Sequence, residues 1–187
     1  MEEDQKAKWI LDQHEKINHF YDTYLPYSFH LRMVAQVAKN FIHLIPDSND
    51  GETSLREDII LSAYGHDLIE DVNSVSYNDV KENLGYRVAE IIYACTNEKG
   101  KTRKERANHK YYEGIRNTPY AVFVKLCDRI ANVQYSKMTK SRMFEMYKKE
   151  NSSFITSLGR LKFDDKHEYD QMFNYLNNLF EINDFSI

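Results

Sequence analysis

Ile59-Ile60-Leu61-Ser62-Ala63-Tyr64-Gly65-His66-Asp67-Leu68-Ile69-Glu70-Asp71 begins as an apolar run without proline and ends in six residues that carry four acidic or imidazole groups. The apolar half predicts a buried helix. On a helix, residues four apart share a face, which pairs His66 with Glu70 and Asp67 with Asp71. Groups of this kind crowded together are costly to bury without a cation to neutralise them. A helix end standing in solvent is the alternative, because acidic side chains are mostly exposed. What the rest of the chain brings to this point decides between the two.

A chain of 187 residues suits one domain with one sizeable core. Hydrophobic residues make up 42% and charged residues 29%, as in ordinary globular proteins. A net charge of -4 gives no general attraction to nucleic acid or to acidic membranes. Cys95 and Cys127 both fall inside apolar helical patterns and read as buried free thiols in a reducing compartment. The opening Met-Glu-Glu-Asp-Gln-Lys has no apolar signal core, and no apolar run approaches membrane-spanning length. The expectation is a cytoplasmic protein whose partner is neither nucleic acid nor membrane. Six glycines and three prolines favour helices over a turn-rich β fold.

Helical spacing of Trp9, Ile10, Ile17, Phe20, Tyr21 and Tyr24 predicts a first helix from about Gln5 to Tyr24, stopped by Pro26. A second runs from about Phe29 to Leu44 and carries His30 in its first turn. Pro46 to Gly51 reads as a loop, and Ser54-Leu-Arg-Glu57 as a capping box that starts the helix ending in the opening stretch. Ser76-Tyr-Asn-Asp79 reads as another helix start, followed by a helix from Tyr86 to Cys95. The polar, basic segment Thr96 to Arg106 turns into helix near Lys104 and runs to about Ile115. Further helices are predicted at Tyr120–Val133, Lys140–Lys149, Ser152–Leu161 and Lys166–Ile182. The reading is one all-α domain over residues 1–187.

Three places put a metal-type ligand into an otherwise apolar helix: His30, the pair His66-Asp67, and Asp128. Helix bundles build metal sites from side chains on facing helices. Two imidazoles and two carboxylates would hold one divalent cation and lower the pKa of its bound water. Glu70 and Asp71, one turn on, would orient that water or move its proton. Each ligand also has a plainer reading. His30 could bond to backbone at a helix start, and Asp128 could pair with Lys125. Pairing with Arg129 is geometrically poor, since sequence neighbours do not share a helix face.

Jointly these residues resemble the H…HD…D signature of the HD superfamily of metal-dependent phosphohydrolases. The resemblance extends to the hydrolase domain of RelA/SpoT-type guanosine polyphosphate enzymes and their small stand-alone relatives. Tyr27-Ser-Phe-His30 resembles the family's Tyr-x-x-His, and His66-Asp-Leu-Ile-Glu-Asp71 its HDxxED. Leu84-Gly-Tyr-Arg-Val-Ala89 is similar to its Phe-Gly-x-x-Val, and Cys95-Thr96 with Lys104-Glu-Arg106 to its Val-Thr and Glu-Arg-Lys segment. Val124-Lys-Leu-Cys-Asp-Arg-Ile-Ala-Asn132 is similar to its Lys-Leu-Ala-Asp-x-x-x-Asn. The matches keep the family's order and cover about residues 26–133. Two departures stand beside them. Leu31 follows His30 where the family typically has proline, and the segment before His30 is aromatic and nearly uncharged, offering Phe20, Tyr21 or Tyr24 to stack on a base.

The resemblance implies an all-α, single-domain HD-type helical bundle. It implies a divalent metal, usually Mn²⁺, on His30, His66, Asp67 and Asp128, with Glu70 and Asp71 as the catalytic pair. Tyr27, Lys101, Arg103, Lys104, Arg106 and Asn132 would contact a nucleotide. The named activity is removal of pyrophosphate from guanosine 3',5'-bis(diphosphate). Alternatives are an HD-type 5'-nucleotidase or deoxynucleotide triphosphohydrolase, and a binding module that turns nothing over. The helices over residues 140–182 would close the bundle or form a homodimer face.

Overall fold

A computed structural model of the protein describes residues 3–49, 54–97, 100–159 and 168–181. In chain order the elements are α1 (Glu3–Lys16), β1 (Phe20–Tyr21), β2 (Leu25–Pro26), α2 (Tyr27–Phe41) with a 3-10 turn at Ile42–Leu44, and α3 (Leu55–Gly65). Then come α4 (Leu68–Asp71), α5 (Tyr77–Leu84), α6 (Tyr86–Cys95), α7 (Arg103–Arg106) and α8 (His109–Asn117). The long α9 (Ala121–Met138), α10 (Met143–Ser157) and α11 (Asp170–Glu181) complete them. The fold is all-α.

The apolar run of the opening stretch is buried because α3 lies in a middle layer with α2 and α6. Its Leu55, Ile59 and Ala63 join a large apolar cluster that contains the inner residues of α8, α9, α10 and α11. Its Leu61 joins a second cluster with Ile10 and Leu11 of α1, Leu68 of α4 and Val80 of α5. A helix packed on both sides has to be apolar nearly all round, which is why α3 shows no clear polar stripe. Close approach is tightest at Gly65, where a Cβ would stand 2.6 Å from Ile92 Cδ1 and 3.6 Å from Ile10 Cδ1.

Several boundaries differ from the sequence reading. The first helix ends at Lys16, not near Tyr24, because Asn18 takes a left-handed φ of 49° and the chain turns into an antiparallel hairpin pairing Tyr21 with Leu25. Phe20 and Tyr24 are exposed on that hairpin. The helix from Ser54 is broken at His66 and Asp67, which separate α3 from α4. Ser54 makes no side-chain cap. The backbone N–H of Leu55 is instead taken by the Ser48 carbonyl at 3.0 Å. The Ser76–Asp79 capping box forms in full. Asn108 interrupts the expected Lys104–Ile115 helix by accepting from the Tyr111 N–H at 3.1 Å. The two helices expected within residues 140–161 are one through residue 157. Their polar junction continues because Asn151 donates to Asn177 of α11 at 2.6 Å. The ends expected at Leu161, Lys166 and Ile182, and the tip of the Pro46–Gly51 loop, lie outside the described residues. Phe173, Leu176 and Phe180 of α11 are buried in the large cluster, so this helix closes the bundle. No helix among the described residues is long and apolar enough to cross a membrane.

Candidate metal centre

The break between α3 and α4 turns His66 and Asp67 toward α2 and α9. His30 enters from the first turn of α2, and Asp128 from the middle of α9. The Nε2 atoms of His30 and His66 stand 3.3 Å apart, and each is 3.6 Å from Asp128 Oδ1. Asp67 Oδ2 is 2.9 Å from His66 Nε2 and 3.8 Å from His30 Nε2. His66 Nδ1 lies 3.0 Å from the Ala63 carbonyl. That carbonyl can only accept, so Nδ1 carries a proton and Nε2 is the nitrogen turned to the cluster, the one an ion would take. Ligands bound to one ion at about 2.1 Å stand roughly 3.0–3.4 Å apart in octahedral or tetrahedral geometry, and the His30–His66 separation falls in that range. The donor set, two imidazole nitrogens and two carboxylates, fits a divalent transition ion.

The charges around the cluster are set against one another. Burial and the neighbouring His66 push His30 down to about 4, which keeps it neutral. Burial alone would lower His66 as well, but the Asp67 and Asp128 carboxylates outweigh it and raise His66 to about 10, so that without an ion Nε2 holds a second proton, which a bound cation would replace. Burial opposes ionisation of both carboxylates. His66 nevertheless holds Asp67 below the ordinary range, and Lys125 does the same for Asp128. Lys125 Nζ is 2.9 Å from Asp128 Oδ2. The ion pair and the metal-ligand reading of Asp128 are therefore compatible, one oxygen serving each.

Other side chains hold the ligands in place. The Tyr27 hydroxyl donates to Asp67 Oδ2 at 2.5 Å. Asn132 donates from Nδ2 to Oδ1 and to the backbone carbonyl of Asp128, and accepts from the Tyr21 hydroxyl at 2.9 Å. The Tyr21 ring stacks on His30 with centroids 4.7 Å apart.

A cavity of about 890 Å³ opens over the cluster, and His30, Asp67 and Asp128 lie on its wall. Tyr27, Glu70, Arg106 and Asn132 line it too. Glu70 is fixed by Asn97, whose backbone N–H donates to one carboxylate oxygen at 3.2 Å and whose side-chain amide donates to the other at 2.8 Å. Asp71 is not on this wall; it faces His19, with Oδ2 3.8 Å from Nδ1. Lys101 is exposed and also absent from the lining. The side chains of Arg103 and Lys104 lie outside the described residues.

Sequence reasoning passed over part of the wall. Asn97 follows the helix end at Cys95, but its pairing with Glu70 spans 27 positions and leaves no local pattern. Arg129 lies over the rings of Phe154 and Tyr147, at 4.1 and 4.8 Å, and pairs with Glu150 at 3.3 Å. All four line the cavity, so α10 forms its far side. The readable signal was an arginine one residue beyond Asp128, with no partner available on its own helix face.

The Asp71 carboxylate is costly to the folded protein. Burial and the Asp67 and Glu70 charges raise its carboxyl to about 7. Below its ordinary value of 3.8 it is protonated whether folded or unfolded, and costs nothing. Between there and about 7 only the unfolded chain releases the proton, so stability falls as pH rises. In chelator, Asp71→Asn is expected to raise the melting temperature by at least about 3 °C at pH 8 and to leave it unchanged at pH 3.5. Equal shifts at both pH values would contradict this assignment.

No family model matches the sequence, and no curated protein matches it. Among solved structures it matches a metazoan ortholog of SpoT that hydrolyses ppGpp, with a TM-score of 0.67 and 16% identity over 94% of this chain and 93% of that one. At that identity the likeness is one of fold. The chain shares the all-α helical-bundle fold of that structure.

Proposed function

We propose that the protein is a metal-dependent nucleotide phosphohydrolase, and more specifically one that removes pyrophosphate from the 3' position of a guanosine 3',5'-bis(diphosphate)-type nucleotide. The observation that carries this is the convergence of His30, His66, Asp67 and Asp128 beside a cavity whose wall also holds Glu70 and three cationic side chains, Arg106, Lys125 and Arg129. The cavity volume suits a nucleotide. The fold likeness to a hydrolase of ppGpp supports the choice of substrate class.

A divalent cation on the four ligands, Mn²⁺ in this proposal, would supply an acidified water and charge neutralisation at the phosphoryl group. The chain's own residues do the rest. Glu70 takes a proton from the attacking water, whose oxygen bonds to the phosphorus carried by the ribose 3'-oxygen. The P–O3' bond breaks, O3' takes up a proton, and pyrophosphate leaves with the oxygen of the water. Arg106, which lines the cavity, neutralises the departing charge. Tyr27 and Asn132 hold Asp67 and Asp128 still while this happens, and the Tyr21 ring next to His30 borders the nucleotide.

A panel of nucleotides with Mn²⁺ and product identification tests the reading. GDP and pyrophosphate from guanosine 3',5'-bis(diphosphate) are expected. Orthophosphate plus nucleoside would make it a 5'-nucleotidase, and triphosphate plus nucleoside a triphosphohydrolase. Tight binding without any product would make it a sensor.

A further inference from the structure

Next to the first cluster, on the side away from the cavity, three more ligand-type groups converge. His14 comes from the last turn of α1, His19 from the turn that follows, and Asp71 from the end of α4. We propose that His14, His19 and Asp71 form a second divalent-cation site, separated from the first by the Tyr27 side chain.

The distances repeat those of the first cluster. His14 Nδ1 and His19 Nδ1 are 3.3 Å apart, as are the facing nitrogens of His30 and His66. Asp71 Oδ2 lies 3.8 Å from His19 Nδ1, as Asp67 Oδ2 does from His30 Nε2. All three candidate ligand atoms lie within 4.8 Å of one another. Neither contact is a good hydrogen bond, for which the separation is about 2.7–3.2 Å. The 3.3 Å contact lies within the range that two ligands of one ion require, and the 3.8 Å contact is a few tenths of an ångström beyond it, as at the first cluster. His14 is 1% exposed, and its Nε2 has no hydrogen-bond partner; His30 Nδ1, at the back of the first cluster, is in the same state. A buried imidazole with no partner behind it and a loose one in front is costly unless something else binds its front nitrogen.

The backbone holds this arrangement in place. The His19 N–H donates to the His14 carbonyl at 3.3 Å across the left-handed Asn18, and the Tyr27 N–H donates to the His19 carbonyl at 2.9 Å. The Tyr27 ring lies flat on His19, with centroids 3.7 Å apart and planes 9° apart, while its hydroxyl bonds Asp67 of the first cluster. Two imidazoles and one carboxylate favour a Zn²⁺-like transition ion over Mg²⁺ or Ca²⁺. The proposal does not depend on the nucleotide reading.

The test uses the untagged full chain, stripped with chelator and titrated with Co²⁺, with bound ion counted by elemental analysis after gel filtration. Two ions per chain are expected for the wild type. His19→Ala and Asp71→Asn should each hold one, Asp128→Asn should hold one, and His19→Ala combined with Asp128→Asn none. Two variants at the second site guard against misfolding of either. If His19→Ala and Asp71→Asn both bind as many ions as the wild type, the imidazoles are only a loose hydrogen-bonded pair and the proposal fails. If Asp128→Asn keeps every ion while His19→Ala loses one, the first site fails and the second stands.

Discussion

Asp128→Ala is expected to release the cation from the first cluster and to lower turnover by about 10³-fold or more, since a Lewis-acidic ion supplies several kcal/mol of transition-state stabilisation. The loss has two parts that can be separated. Asp128 offers Oδ1 to the imidazole cluster and Oδ2 to Lys125. Truncation therefore removes a ligand and also strands a buried ammonium, and breaking a buried ion pair costs roughly 3–5 kcal/mol of stability. Asp128→Asn keeps the shape and a carbonyl oxygen for Lys125 while removing the negative charge. It should lose the ion and the activity with a smaller drop in melting temperature. Paramagnetic resonance of free Mn²⁺ against protein concentration reads the binding, and pyrophosphate release reads the rate. An Asp128→Asn protein that binds Mn²⁺ like the wild type would remove Asp128 from the ligand set.

Glu70→Gln should leave Mn²⁺ binding intact and lower kcat by about 10²–10⁴-fold, the usual contribution of a positioned general base. Glu70 is on the cavity wall, and both its oxygens are fixed by Asn97, so its direction is set before substrate arrives. Gln retains the size and one acceptor but cannot take a proton. Asn97→Ala then gives a graded result: the carboxylate stays but is free to swing, and kcat should fall by less than in Glu70→Gln. Full turnover by Glu70→Gln with guanosine 3',5'-bis(diphosphate) would end this assignment.

What the sequence disclosed about this molecule followed from local rules. The Tyr86–Cys95 helix and the Ser76 start are as predicted, because a capping box and a 3.6-residue period act within one or two turns. The four ligand-type residues were visible because imidazoles and carboxylates inside apolar helices are conspicuous. The break at His66 and Asp67 was not visible, since nothing in Gly65-His66-Asp67 forbids helix. A continuous helix would have placed Glu70 and Asp71 together near one ion. The break instead sends Glu70 to the cavity and Asp71 to His19. His14 has no legible partner in the sequence, because His19 reaches it only through the turn after Lys16 and Asp71 only through the break before α4. The α10 wall was hidden for another reason: Arg129, Glu150 and Phe154 meet only through tertiary packing.

The two apolar clusters have a mechanical consequence. Helices α1, α4 and α5 give their buried side chains to one cluster, and α8 to α11 give theirs to the other. The ligands stand on the seam between them. Asp67 borders Leu68 of the small cluster, and Asp128 borders Cys127 of the large one. An ion held there ties the two clusters together, beside α2, α3 and α6, which contribute to both. Amide hydrogens of α1, α4 and α5 are expected to exchange more slowly with the ion bound than after chelation. Metal occupancy is then legible in the protein's rigidity, without any substrate present.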